Sequence, residues 1–311
     1  MNFTVEELIE DMDYEIVHQA DNIKDIKIYT SEVNRPGLQL CGYYGQFVAN
    51  RIQVIGGAEW HYLNELDPHK RLAREEELLK KKIPLLIITR GNKVFDELKD
   101  LAKKYNRTIL RTQDSTSRAI NKLINYMDQA LAPTIRCHGI LLDVYGVGVL
   151  IRGESGIGKS ETAIDLIEKG HKLISDDSVI IKRLEGRLVG TSPPITRHFM
   201  EIRGVGIVDV QRLFGIGSVM EEKEIEVLIN LEHWDQNRDY DRLGIEYETE
   251  ALLGVEIPRM DIPLRTGRNT AVILEIAIRN FKQKELGYNP ALALNNKIME
   301  SIKSKKKGGR S

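Results

Sequence analysis

Hydrophobic and polar positions along this chain change period several times, and each change marks an element. Residues 5–12 (VEELIEDM) carry apolar side chains at helical spacing and follow Thr4, whose hydroxyl is placed to cap the first turn. Pro36-Gly37 marks a turn before a mixed segment, LQLCGYYGQF. Residues 83–89 (IPLLIIT) form a continuous apolar run ended by Arg90-Gly91, which predicts a buried strand. A helix over 95–105, a short strand over 108–111 and a longer helix over 115–131 follow. In the last of these Ile120, Leu123, Ile124, Met127 and Leu131 share one stripe at helical spacing, which predicts core packing rather than a cofactor surface.

Ala132-Pro133 breaks that helix, because proline removes a donor and forces the residue before it out of the helical region. The domain boundary is expected there, with an α/β domain over 1–131 and a second domain over 132–311. Beyond the break the period shortens. Residues 140–144 (ILLDV) and 147–152 (VGVLIR) read as strands joined by a Tyr145-Gly146 turn. The second strand runs straight into a glycine-rich loop. No internal repeat is visible, and nothing before the break resembles a catalytic constellation.

Composition narrows the picture further. The 311 residues are 41% hydrophobic and 29% charged, so a normal globular core is expected and global disorder is not. A formal net charge of -1 gives no reason to expect nucleic acid or an anionic membrane as partner. The one basic concentration, Lys303 to Arg310, reads as a solvated, frayed end. Cys41 and Cys137 are too few for a disulfide framework. The N-terminus is acidic and amphipathic, unlike a secretory signal, and no apolar run approaches the ~18 residues a span needs. A cytoplasmic location is the expectation.

Gly153-Glu154-Ser155-Gly156-Ile157-Gly158-Lys159-Ser160 satisfies the phosphate-loop pattern G-x-x-x-x-G-K-[ST] at every specified position. Its glycines let successive N–H groups turn inward on phosphate oxygens. Lys159 brings a positive charge to the β- and γ-phosphates, and the Ser160 hydroxyl suits Mg²⁺, a hard cation that prefers oxygen. A helix over 161–169, closed by Gly170, would aim its positive end at the same phosphates. A chance match in such a chain is on the order of one per cent. The preceding strand and following helix lower that further, so nucleotide binding is the reading.

The surroundings discriminate among nucleotide enzymes. Residues 171–175 (HKLIS) form a strand-like run ending in Asp176-Asp177. One carboxylate could hold Mg²⁺ and the other accept a proton from an attacking hydroxyl, although Asp-Asp-Ser is also ordinary turn chemistry. Such an aspartate usually comes much later in phosphate-loop enzymes, and this loop follows a hairpin rather than the first strand of a parallel sheet. Both features point to a different fold carrying the same loop. Met200-Glu201-Ile202-Arg203-Gly204-Val205-Gly206-Ile207-Val208-Asp209 offers Glu201 as a further metal ligand, or simply a strand with a bulge. Arg242, in YDRLG, and the turn Pro263-Leu264-Arg265-Thr266-Gly267-Arg268 place arginines suited to phosphate, or to surface salt bridges. His138 precedes the hairpin and could contact phosphate, move a proton or be structural.

GESGIGKSETA, HKLISDD, MEIRGVGIVDV, YDRLG and PLRTGRN, in this order and spacing, resemble the HPr kinase/phosphorylase family. The likeness is specific from about residue 137 to 289 and looser in the first domain, through RPGLQLCGYYGQF. It implies a phosphate-loop kinase domain like that of phosphoenolpyruvate carboxykinase, preceded by an α/β assembly or regulatory domain. It also implies phosphorylation of a regulatory serine of HPr, a phosphocarrier protein, by ATP or pyrophosphate with Mg²⁺. Inorganic phosphate reverses the reaction and releases pyrophosphate, and the balance controls carbon catabolite repression. Hexamers, and an effect of fructose 1,6-bisphosphate, belong to the same implication.

Carried over by position, residues 153–160 are the nucleotide loop, and Ser160 and Glu201, with Asp176, the magnesium ligands. Asp177 takes and returns the serine proton, with His138 and Lys159 beside it. Arg242 and residues 263–268 serve dephosphorylation, and residues 200–209 both directions. The stretch between Asp177 and Glu201 departs by about one residue, placed at Glu185-Gly186. A small-molecule or carboxykinase-like kinase, active on metabolites and indifferent to HPr, is the alternative. A nucleotide sensor that binds without transfer is the third reading, and Asp177→Asn separates it from a kinase.

Overall fold

A computed structural model describes residues 3–235, 247–265 and 269–308. The chain divides into two compact units, Met1–Ala132 and Pro133–Ser311.

The first unit opens with the helix Val5–Asp11. Thr4 caps it in a reciprocal box, its hydroxyl accepting from the Glu7 N–H while the Glu7 carboxylate accepts from the Thr4 N–H at 2.8 Å. A five-stranded sheet follows, ordered Glu15–His18, Thr108–Arg111, Leu85–Ile88, Ile52–Ile55 and Val33–Asn34. The last four are parallel and the first is an antiparallel edge. The apolar run at 83–89 is the central strand Leu85–Ile88, and its alternation explains the lack of polar positions. Leu86 and Ile88 enter one core layer, and Leu85 and Ile87 enter the other. The helices Asp96–Tyr105 and Thr116–Leu131 match their predicted spans closely. The stripe of the second packs Ile120, Leu123, Met127 and Leu131 into the sheet, while Ile124 is half-buried outside that layer. Part of the mixed segment after Pro36 is a one-turn helix, Gly37–Leu40.

The second unit has three layers. Its middle is a six-stranded sheet ordered Lys172–Ser175, Ile140–Val144, Val147–Gly153, Val227–His233, Val255–Leu264 and Glu248–Leu252. Ile140–Val144 and Val147–Gly153 form the expected hairpin, with Tyr145 and Gly146 both at positive φ, as a two-residue turn requires. Yet Val147–Gly153 also pairs in parallel with Val227–His233, which pairs in parallel with Val255–Leu264. The expectation of a hairpin instead of a parallel sheet is thereby corrected, because one strand has two edges and uses each differently. Val149 and Ile151 pack under the helices Lys159–Glu168 and Thr270–Glu285. Leu150, on the opposite face, packs against a four-stranded antiparallel sheet that includes Thr134–His138 and Ser178–Leu184. The final helix Pro290–Gly308 continues past Ile302 through the lysine run, where a frayed end was expected.

Candidate active site

Val147–Gly153, Val227–His233 and Val255–Leu264 end at one edge, with Gly153 opposite Leu231 and Leu231 opposite Ile262. Parallel strands present ligand-binding groups at this edge. Gly153 has φ +150°, and a Cβ there would stand 2.5 Å from the Leu231 carbonyl oxygen, so no side chain fits. Ile157 is buried in the core and pins the middle of the loop. Gly158, left-handed at φ +102°, starts the helix Lys159–Glu168, and Thr162 Oγ1 donates to its carbonyl at 2.7 Å. The helix thus begins earlier than the predicted 161, with Lys159 and Ser160 in its first turn. Lys159 is only 8% exposed, and its Nζ donates to the carbonyls of Gly153 and Glu154, both at 2.9 Å.

Asp176 and Asp177 follow the strand Lys172–Ser175, on the other side of the hairpin. Asp177 is left-handed, at φ +61°. Its carbonyl accepts from the Gly139 N–H at 3.1 Å, and the next residue, Ser178, pairs with His138 across the antiparallel ladder. That register brings His138 Nδ1 to 2.9 Å from Asp177 Oδ1, with both side chains open to solvent. Burial pushes the Asp176 carboxyl above the usual aspartate range. The N–H groups of Glu201 and Asp177 pull it down, and the charges of Asp177 and Glu201 push it up.

Residues 200–209 are a hairpin, Phe199–Ile202 against Gly206–Asp209, where a bulged strand was the alternative. Met200, 1% exposed, anchors it in the core together with Ile202 and Val208. The Glu201 N–H donates to Asp176 Oδ2 at 3.0 Å, and Arg203 Nη2 donates to Ser155 Oγ at 3.2 Å. His138, Lys159, Ser160, Asp176, Asp177, Glu201 and Arg203 consequently line one cleft with the phosphate loop, of about 190 Å³. Val205 and Ile207 are exposed to solvent and do not line the cleft.

Two matches to family models cover nearly the whole chain: HPr Serine kinase N terminus over residues 3–127, and HPr Serine kinase C-terminal domain over 129–298. A protein named HPr kinase/phosphorylase from Caldanaerobacter subterraneus subsp. tengcongensis is 47% identical, over 96% of this chain and 98% of its own. Another of that name from Alkaliphilus metalliredigens is 45% identical, over 98% of each chain. The chain belongs to the HPr kinase/phosphorylase family. Among solved structures, the Hpr(Ser) kinase/phosphatase of Coxiella burnetii is 34% identical, with a TM-score of 0.48 over 51% of this chain and 98% of that one.

In this member of the HPr kinase/phosphorylase family, Pro263 and Leu264 close the strand Val255–Leu264 and Arg265 follows them. The Arg265 guanidinium lies 3.8 Å from the Trp234 ring centroid, and the Trp234 backbone N–H donates to the Leu264 carbonyl at 3.2 Å. Arg265 does not line the phosphate cleft. Arg242, Thr266, Gly267 and Arg268 lie outside the described residues. Glu185 and Gly186, where a departure from the family spacing was expected, form the turn between Ser178–Leu184 and Arg187–Thr191, both at positive φ.

Sequence reasoning passed over a second cleft, of about 700 Å³, at the same strand edge. Arg152, Asn230, Glu232, His233 and Asp235 line it, together with Gly153, Glu154 and His138, so His138 borders both clefts. The available signal was the position of LEHWD at the end of an apolar run, which only the parallel pairing makes meaningful.

Proposed function

We propose that this chain moves a phosphoryl group between ATP and a serine of the phosphocarrier protein HPr, in both directions. The observation that carries the reading is the His138–Asp177 pair, 2.9 Å apart, in the wall of the cleft that also holds Lys159 and Ser160. A base and a phosphate cradle in one small space suit phosphoryl transfer to a hydroxyl.

In the kinase direction the loop N–H groups hold the β-phosphate while Lys159 offsets charge on the β- and γ-oxygens. The serine Oγ attacks the γ-phosphorus, its proton passes to an Asp177 oxygen, and the bond to the β-bridging oxygen breaks to release ADP. His138 orients the Asp177 carboxylate. In the opposite direction an oxygen of inorganic phosphate attacks the phosphoserine phosphorus, Asp177 returns its proton to the serine oxygen, and pyrophosphate leaves. The same cradle accepts pyrophosphate as donor in place of ATP. Arg242 and residues 263–268 belong to the phosphorolysis direction, and the hairpin at 200–209 to both.

Magnesium fits the donors present. Ser160, Asp176 and Glu201 offer oxygen ligands in the cleft. That suits a cation which completes its shell with water and phosphate oxygens and, when bound, spreads the charge of the transferring group. With one oxygen bonded to the Glu201 N–H, Asp176 also fixes the hairpin to the strand end.

Family resemblance extends the reading to a catalytic domain like that of phosphoenolpyruvate carboxykinase, a hexamer assembled or regulated through the first unit, and fructose 1,6-bisphosphate as effector. A cytoplasmic location is part of the same reading; among the described residues no helix is long and apolar enough to cross a membrane. The test is purified HPr with Mg-ATP, then removal of ATP and addition of inorganic phosphate. Phosphoserine should form and then disappear with release of pyrophosphate. Asp177→Asn should lower both rates by about 100-fold or more while ATP still binds. Transfer to a metabolite with HPr untouched would replace this reading with that of a small-molecule kinase.

A further inference from the structure

Gly139 is the single residue between two strands that belong to different sheets. Thr134–His138 lies in the four-stranded antiparallel sheet and Ile140–Val144 in the six-stranded one. The chain changes layers at this buried glycine. His138 stands on one side of the corner, and the last pair of the hairpin, Ile140 with Ile151, on the other.

No side chain fits the corner. A Cβ on Gly139 would stand 2.6 Å from the Ile151 carbonyl oxygen and 3.2 Å from Arg152 Cγ. The nearer atom is backbone, and Ile151 is paired on both edges, with Ile140 and with Ile229. It cannot swing aside as the end of a side chain would. Gly139 thus rests directly on the strand that enters the phosphate loop two residues later, at Gly153.

Its other contact is with the base. The Gly139 N–H donates to the Asp177 carbonyl at 3.1 Å. Asp177 is left-handed, at φ +61°, a conformation that a residue with a Cβ keeps only where its surroundings impose it. The Ser178 N–H closes the turn by donating to the Asp176 carbonyl at 2.7 Å, and Ser178 pairs with His138. These backbone contacts hold the Asp177 carboxylate 2.9 Å from His138 Nδ1.

We propose that Gly139 is a positioning residue for phosphoryl transfer: lying against Ile151 and holding the Asp177 carbonyl, it sets the spacing between the base and the phosphate loop. The proposal rests on the reading of Asp177 as the base and deepens it. Gly139 touches no reacting atom and acts through Asp177 and His138. A methyl group added there must be absorbed by the corner, because the Ile151 backbone is fixed on both edges. The corner then lifts from the strand, drawing the Gly139 N–H off the Asp177 carbonyl and His138 off the carboxylate. Proton removal from an attacking hydroxyl depends on close placement of the base, so the rate falls while the loop still binds nucleotide.

The test is full-length Gly139→Ala. Gly217→Ala, where an added carbon meets nothing within 4 Å, is the control and should match the parent. In Gly139→Ala, kcat should fall about tenfold or more in both directions, with KM for HPr and Kd for ATP within about twofold of the parent. A double variant separates positioning from a general structural effect. On an Asp177→Asn background the same substitution should lower kcat by less than about twofold, because the group it displaces is already gone. The full loss on that background overturns the proposal, as does an unchanged kcat in the single variant or a loss confined to ATP affinity. Should Gly139→Ala not fold, hydrogen exchange on the parent decides. A Gly139 amide slowed about 100-fold or more supports the bond to Asp177, and a freely exchanging one overturns it. Full transfer by Asp177→Asn alone removes the base reading and this proposal together; additive losses with Asp177→Asn impaired bear on Gly139 alone.

Discussion

Glu75 stands in the helix Pro68–Leu79 of the first unit, 1% exposed, and neither of its carboxylate oxygens has a hydrogen-bond partner. Burial pushes its pKa from 4.5 up to about 8; the Glu97 charge pushes the same way and the Arg71 guanidinium opposes it. Folding therefore favours the protonated acid. That contribution is full below the unfolded value of 4.5 and is lost as pH rises toward about 8. Glu75→Met should flatten this part of the pH profile and stabilise the first unit at pH 8, as read by hydrogen exchange of its amides in parent and variant. No motif marks Glu75 in the sequence, where a glutamate on a charged helix reads as solvated. Only the packing of its neighbours shows otherwise. The reverse holds for Lys159 and Ser160, which the loop pattern identified without any packing information.

The helix Lys159–Glu168 illustrates the next scale, because it is held at both ends. Its N-terminal end is the phosphate loop. Just beyond its C-terminal end, Lys169 Nζ donates to Glu275 Oε2 at 2.7 Å and Tyr145 Oη donates to Oε1 at 2.6 Å, with His171 Nε2 3.2 Å from the latter. Hydrogen bonds from Lys169 and Tyr145 hold the Glu275 pKa down at about 2, from 4.5. The stabilisation is present above pH 4.5 and is lost as pH falls toward 2. Glu275→Gln should cost about 1–3 kcal/mol at pH 7 and much less near pH 3, measured by urea unfolding at each pH. Element boundaries in the sequence were clear where a cap marks them, as at Thr4 and Ser115. They failed at the phosphate loop, where Gly158 starts the helix in a left-handed conformation. The hairpin at 200–209 was equally hidden, since Gly204 and Gly206 suit a bulge or a turn alike.

At the scale of the whole chain, each unit has its own sheet with an apolar layer on both faces. The phosphate cleft is built entirely from the second. Mg-ATP at 100 times its Kd should stabilise that unit by about 2.7 kcal/mol. Hydrogen exchange should show slowed amides around residues 153–160 and 176–177. Protection that spreads through residues 3–131 to the same degree would show the nucleotide acting on the first unit as well.

By itself the sequence determined the phosphate loop, the strand that feeds it, the Tyr145-Gly146 hairpin and the apolar strand Leu85–Ile88. Each follows from residues close together in the chain, through backbone conformation and side-chain period. Tertiary structure alone decided that His138 meets Asp177, that Asp176 holds the hairpin through Glu201, and that two clefts share a strand edge. Those results depend on register between distant strands, which is set by burying both faces of a sheet at once and leaves no local pattern.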